Sequence, residues 1–272
     1  MTVILAAVGD PHVNSTVGLM PPKVRRDDGQ VVLQSPTQRW LWENWCDFWT
    51  LTAAMKVRLG ARVIGFLNGD WGDINTHSGF QLVEPNNRDT VLDMMVEAVE
   101  PMRRACDEIV VIRGTEAHVG GVGWLENRAA KEIGALPNAA EQTHSFYLFR
   151  GEVEGVRFTF AHHPGTNSTV PWTAGNEANR RAARDVYEYA MRDWVPAVTW
   201  WGHYHHWADS GTTHRIRAIY NRSWQVKTAF EHRIGKSGDH SEIGGAWMVL
   251  ANGAYKVRDK SYELPQPEPV TL

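Results

Sequence analysis

Five times along this chain a short apolar run stops at a turn that carries aspartate or histidine. The runs are Thr2–Val8, Ala61–Leu67, Glu108–Ile112, Val156–Ala161 and Ala197–Trp201. The turns hold Asp10 and His12; Asp70 and Asp73; Thr115, Glu116 and His118; His162 and His163; and His203, His205 and His206. Nearly continuous apolar runs of this length predict strands buried on both faces, as in parallel sheets covered by helices. In an open α/β sheet the carboxyl ends of the strands converge on the ligand crevice. Turn preference explains Asp, Gly and Pro at these places, but not histidine.

The segments between the runs complete an α/β pattern. Ser35 and Pro36 introduce a helix over Thr37–Arg58, with Trp40, Leu41, Trp45, Phe48 and Met55 at helical spacing. Asp89–Cys106 predicts a second helix, with Pro101 either bending it or marking a boundary. Leu125–Ile133 and Asn176–Arg192 predict two more. Ser145–Arg150 pairs with Val156–Ala161 across a tight turn, and Thr213–Ile219 and Gln225–Phe230 are further expected strands. The expectation is a single α/β domain over 1–258. A cap insertion is expected over 14–49 and a Pro- and Glu-rich, partly ordered tail over 259–272.

The formal charge of -3 is spread without a long block of one sign, so no footprint for general nucleic-acid binding is present. No stretch is long and apolar enough to span a membrane, and Met1–Val8 lacks the features of a secretory leader. A cytoplasmic protein with no membrane partner is expected. Cys46 and Cys106, the only two cysteines, predict buried reduced thiols and not a disulfide framework.

The turn residues are carboxylates and imidazoles without thiolate. That donor set suits Mn, Zn, Fe, Co or Ni. It exceeds the needs of one ion and predicts two divalent ions, with manganese the first expectation.

The order Asp-x-His, Gly-Asp-x-x-Asp, a Gly-x-His-like segment, His, then Gly-His-x-His resembles the calcineurin-like metallophosphoesterase superfamily, over roughly Val3 to His205. The resemblance implies a β-sandwich flanked by helices in four layers (α/β/β/α), and a dinuclear centre that hydrolyses phosphate esters with a metal-bridging hydroxide. It assigns Asp10, His12 and His205 mainly to one metal and His162 and His203 to the other, with Asp70 as the bridge. His162 is preferred to His163 because it stands two residues before Pro164. Asp73 would accept from a ligand imidazole or bound water.

The third turn departs from the family's Gly-Asn-His. No Asn follows Gly114, and His118 is displaced by two residues. Glu116, or else Thr115, is expected to supply oxygen to the second metal, while His118 (or His163 or His206) protonates the leaving group. Arg113 is a candidate phosphate contact. Similar departures occur among phage-encoded members, which suggests a viral source and a host cytoplasm.

The substrate expected is a phosphate ester, with nucleotides and nucleic acids among the candidates. Lys23, Arg25 and Arg26 in the cap, and Trp172, Arg180, Arg181 and Arg184 after His162, could contact it. A phosphodiesterase or nuclease is the first expectation. A phosphomonoesterase acting on nucleotides or phosphoproteins, and a noncatalytic metal-bound module, are the alternatives.

Overall fold

The computed structural model describes residues 1–74, 81–165, 176–229 and 242–265. In chain order the strands are β1 (Val3–Val8), β2 (Lys23–Arg25), β3 (Val31–Leu33), β4 (Arg62–Asn68), β5 (Glu108–Ile112), β6 (Leu148–Val153) and β7 (Val156–Ala161). Then follow β8 (Val198–Trp201), β9 (Ala208–Asp209), β10 (Arg217–Tyr220), β11 (Ile243–Ala251) and β12 (Ala254–Tyr262). The helices are α1 (Pro36–Leu59), α2 (Arg88–Ala98), α3 (Glu100–Ala105), α4 (Glu116–Val119), α5 (Trp124–Glu132) and α6 (Asn176–Glu188).

Two five-stranded sheets carry the fold, in the orders β12-β11-β1-β4-β5 and β6-β7-β8-β10-β9. Strands β1, β4 and β5 are parallel, as are β7, β8 and β10. Successive side chains of a strand point to opposite faces, and β1 supplies both of its faces with apolar residues. Val3, Leu5 and Ala7 pack toward the second sheet, with Phe66, Phe158, Phe160 and Trp200. Ile4, Ala6 and Val8 pack toward Trp45, Phe48 and Met95 of the helical layer. Ala178 of α6 covers the outer side of the second sheet with Trp201 and Tyr220. The result is the four-layer α/β/β/α sandwich that the resemblance implies.

Helix α1 begins where the sequence marks it. Ser35 Oγ accepts from the Gln38 amide at 3.2 Å and Gln38 Oε1 accepts from the Ser35 amide at 3.1 Å, with Pro36 in the first turn. It ends on Gly60 in the left-handed region. Phe48 stacks on Trp247 of β11 at 4.6 Å, which locks helix to sheet.

Several expectations are corrected. Residues 36–49 belong to α1 and the helical core, so the excursion ends near Ser35. Its β2–β3 hairpin exposes Lys23 and Arg25, while Arg26 pairs with buried Glu84 at 3.2 Å. Asp89–Cys106 divides into α2 and α3 at Val99, two residues ahead of Pro101, whose missing amide and ring oppose a continuous helix. Gln225–Phe230 is not a strand as far as it is described; the Val226 amide instead donates to Val17. The strand beside β1 is β11, joined to β12 through Asn252 and Gly253, both at positive φ. Such an Asn-Gly pair is a strong hairpin signal. Strand β12 carries Asp259 opposite Ala246 and ends at Tyr262, whose hydroxyl donates to Asp47 at 2.8 Å, so the expected tail at 259 is sheet to that point. Cys46 and Cys106 are free thiols, only partly buried. No helix among the described residues is long and apolar enough to cross a membrane.

Candidate metal centre

The five turns meet at the carboxyl ends of β1, β4, β5, β7 and β8, and backbone hydrogen bonds lace them together. The amides of Asp10, His12 and Val13 donate to the carbonyls of Gly69, Asp70 and Trp71, and the Asp73 amide returns to Val13. The Gly202 amide donates to the His162 carbonyl, which ties the two histidine turns of the second sheet. Asp10, His12, Asp70, His203 and His205 all adopt positive φ, as do only five other non-glycine residues among those described. Such backbone is costly for residues with a Cβ and gathers at functional sites. At Gly69, a Cβ would collide with the His162 ring, so this turn demands glycine.

Among the described residues, three groups of side chains have geometry that could hold a cation: Asp10, His12 and His205; Asp70, His162 and His203; and His12, Asp73 and His118. In the first, Asp10 Oδ1 lies 3.2 Å from His205 Nε2, and the Nε2 atoms of His12 and His205 face each other at 3.3 Å. In the second, His162 Nε2 lies 3.1 Å from Asp70 Oδ2, and its Nδ1 donates to the Asn68 carbonyl at 2.8 Å. That bond fixes the ring and turns Nε2 inward, a familiar support for a metal-ligating histidine. Asp10 Oδ1 also lies 3.7 Å from His162 Nε2, so this carboxylate stands between the first two groups.

The donor set fits divalent cations. Asp10 is fully buried and its Oδ1 faces imidazole nitrogens alone, His205 Nε2 at 3.2 Å without a well-aligned hydrogen bond and His162 Nε2 at 3.7 Å, a costly setting for a carboxylate unless a cation meets it. Burial opposes protonation of His162, yet Asp70 and Asp10 outweigh it and push the imidazole up to about 10. Burial and His162 drive His203 down to about 4. Two buried carboxylates thus create a potential that demands positive charge, while His203 remains a neutral donor. Adding Mn²⁺ to chelator-treated protein is expected to raise its unfolding temperature. At a free concentration 100 times Kd the gain is about 2.7 kcal/mol. A transition that stays put up to millimolar Mn²⁺ would count against a metal site.

The third group is arranged differently. Asp73 Oδ1 is 3.2 Å from His118 Nδ1, and its Oδ2 is 3.5 Å from His12 Nδ1, so one carboxylate addresses two imidazoles. Burial raises the cost of that carboxylate, but its bonds with His118 and His12 hold it at about 2. His118 is disfavoured by burial as a cation, but the hydrogen bond it donates to Asp73 and the nearby charges of Asp70, Asp73 and Asp10 carry it up to about 9. It is partly exposed, and its Nε2 takes no hydrogen bond among the described residues.

Glu116 is not where the sequence places it. It opens α4 with its side chain exposed, and Oε1 accepts from the Val122 amide at 3.4 Å, outside all three groups. Thr115 takes its place beside Asp70: its amide donates to Asp70 Oδ1 at 2.6 Å and its hydroxyl at 3.0 Å. The preceding extended residue faces inward while the first helical residue turns out. Arg113 reaches the edge of the site, but its guanidinium is engaged by Ser145, Thr143 and Glu141. It is therefore not a free phosphate contact.

Of the other candidates, His163 is exposed with its ring 4.3 Å from His203. His206 is turned away against Tyr204, Tyr220 and Glu177. Arg181 pairs with Asp185 and donates to the Pro164 carbonyl, Arg184 pairs with Glu188, and Arg180 is exposed. Trp172 lies outside the described residues.

One contributor escaped sequence reasoning. Glu126 of α5 is fully buried and accepts from the Trp71 amide at 2.8 Å and the Gly114 amide at 2.7 Å, clamping the second turn to the third. Burial, with Asp70 adding to it, raises its carboxyl to about 7. Its neighbours Leu125, Ala129 and Ala130 are core residues, so the sequence shows only an acidic position on an amphipathic helix.

The sequence matches no protein-family model and aligns with no curated protein. Among solved structures, vacuolar protein sorting 29 of Cryptosporidium parvum aligns over 97% of this chain and 99% of its own, at 10% identity and a TM-score of 0.46. Vps29 of Chaetomium thermophilum aligns over 97% and 98%, at 11% identity and 0.42. A Thermotoga maritima protein solved by NMR aligns over 95% and 99%, at 15% identity and 0.38. At this degree of likeness the chemistry rests on the side chains of this chain alone.

Proposed function

We propose that the chain is a metal-dependent phosphoesterase of the calcineurin-like kind that hydrolyses phosphodiesters. The observation that carries this reading is the meeting of two buried Asp–His–His groups with an Asp73–His118 pair beside them. Asp10, His12 and His205 would hold one divalent ion and Asp70, His162 and His203 the other. Bound divalent ions supply Lewis acidity, polarising a phosphoryl oxygen and easing deprotonation of water.

The chain's own groups do the rest. Asn68 and Asp73 orient His162 and His12 through their Nδ1 atoms. Asp73 also aims His118, whose Nε2 then gives a proton to the departing alkoxide. Thr115 restrains the Asp70 carboxylate. A diester is favoured over a monoester by the spent charge of Arg113 and Arg181, which face Glu141 and Asp185. A monoester dianion gains more from free guanidinium groups than a diester monoanion does.

Hydrolysis of bis-(p-nitrophenyl) phosphate with Mn²⁺ tests the reading. Turnover should exceed that of p-nitrophenyl phosphate, vanish with chelator and return with Mn²⁺. Preference for the monoester would establish the monoesterase alternative. Metal uptake with turnover of neither ester would leave a noncatalytic module.

A further inference from the structure

Next to the Asp70, His162 and His203 group lies a cavity of about 360 Å³ whose wall includes His162, His163, Thr115, Glu116, Arg113 and Tyr147. Its size falls within the range of small-molecule pockets. Tyr147 is half exposed, and the guanidinium carbon of Arg113 lies 4.3 Å from the centre of its ring. Arg113 is buried and pinned by Ser145, Thr143 and Glu141, so the tyrosine rests on a fixed planar support. An aromatic ring held this way is a stacking surface already paid for in side-chain entropy.

Charge narrows what can enter. The positive charge in the wall is met by Glu141, and Glu116 adds a carboxylate of its own. Glu116 Oε1 takes only the long bond from Val122, and Oε2 takes none from the described residues. A second phosphate would be repelled. A flat, uncharged group that presents N–H donors would be welcomed on both counts.

Building on the phosphodiesterase reading, we propose that this cavity receives the nucleobase of a nucleotide ester. The base stacks on Tyr147 and donates an exocyclic amino hydrogen to Glu116, while the phosphate reaches the Asp70, His162 and His203 side. Bases carrying an exocyclic amino group (adenine, cytosine and guanine) are preferred to uracil and hypoxanthine. Thr115 and Glu116 thus serve opposite sides of one turn: Thr115 holds Asp70, and Glu116 reads the substrate.

Adenosine and inosine, titrated into the Mn²⁺-loaded protein and followed by ligand-observed NMR, test this without any turnover. Adenosine should bind more tightly than inosine. Tyr147→Ala should weaken adenosine about 5- to 150-fold, the span of base–aromatic stacking, while Tyr147→Phe keeps it. Glu116→Ala, which leaves no acceptor for the amino hydrogen, should erase the preference for adenosine over inosine. In parallel, all variants are assayed on bis-(p-nitrophenyl) phosphate. Hydrolysis without adenosine binding, or adenosine binding indifferent to both Tyr147→Ala and Glu116→Ala, overturns the proposal and spares the esterase reading. Adenosine binding with the expected variant pattern but no hydrolysis under any metal supports the base site and defeats the esterase.

Discussion

Asp70→Ala is expected to lower metal-dependent hydrolysis of bis-(p-nitrophenyl) phosphate by more than about 10³-fold, beyond the roughly 10–100-fold cost of losing a residue that only orients a ligand. Asp70 is buried, faces His162 at 3.1 Å and is gripped by Thr115, so no neighbouring group can replace its oxygens without moving the turn. The Mn²⁺-induced rise in unfolding temperature should shrink along with activity, because a metal ligand contributes to both. Asp10→Ala should behave alike, since its Oδ1 lies within reach of histidines from both groups. Secondary structure in chelator should persist, as the two-sheet core is formed by other residues. Turnover within tenfold of the parent, with the thermal response to Mn²⁺ retained, would remove Asp70 from the centre.

His118→Ala should separate chemistry from metal binding. Turnover of an alkyl phosphodiester is expected to fall by about 10²–10⁴-fold, the usual range for a lost general acid. The loss should be smaller for a nitrophenyl ester, whose leaving group needs little protonation. The thermal response to Mn²⁺ should remain, because His118 belongs to neither of the two ligand groups proposed. Asp73→Asn should share the leaving-group dependence and also weaken the metal response, since Asp73 addresses His12 as well as His118. Equal losses for good and poor leaving groups in His118→Ala would instead assign it to holding phosphate.

Much of the site's raw material was legible in the linear chain. The strands ending at Val8, Asn68, Ile112, Ala161 and Trp201 announce themselves as apolar runs, and the turns after them carry the Asp and His residues that the structure gathers. A buried strand must be apolar whatever its neighbours, so that signal is local. The hairpin of β11 and β12 has one short local mark, Asn252–Gly253 between its two strands. Its first strand includes Gly244 and Gly245, which interrupt the apolar pattern.

Other features had no local signature. Whether Thr115 or Glu116 turns toward Asp70 depends on where the extended turn gives way to α4, which packs on α5 while Thr115 bonds to Asp70. The clamp of Glu126 joins turns 12 and 55 residues away in sequence. Arg113 reads as a free cation until the loop bearing Glu141, Thr143 and Ser145 folds over it. The sequence by itself determined the layered α/β alternation and the residue types offered at the strand ends, because burial and turn chemistry act within a few residues. Only the tertiary structure decided which side chains face one another, which charges are already spent, and which wall of the site is left open to a ligand. Those depend on segments distant in the chain, whose relative positions are fixed by packing of the two sheets.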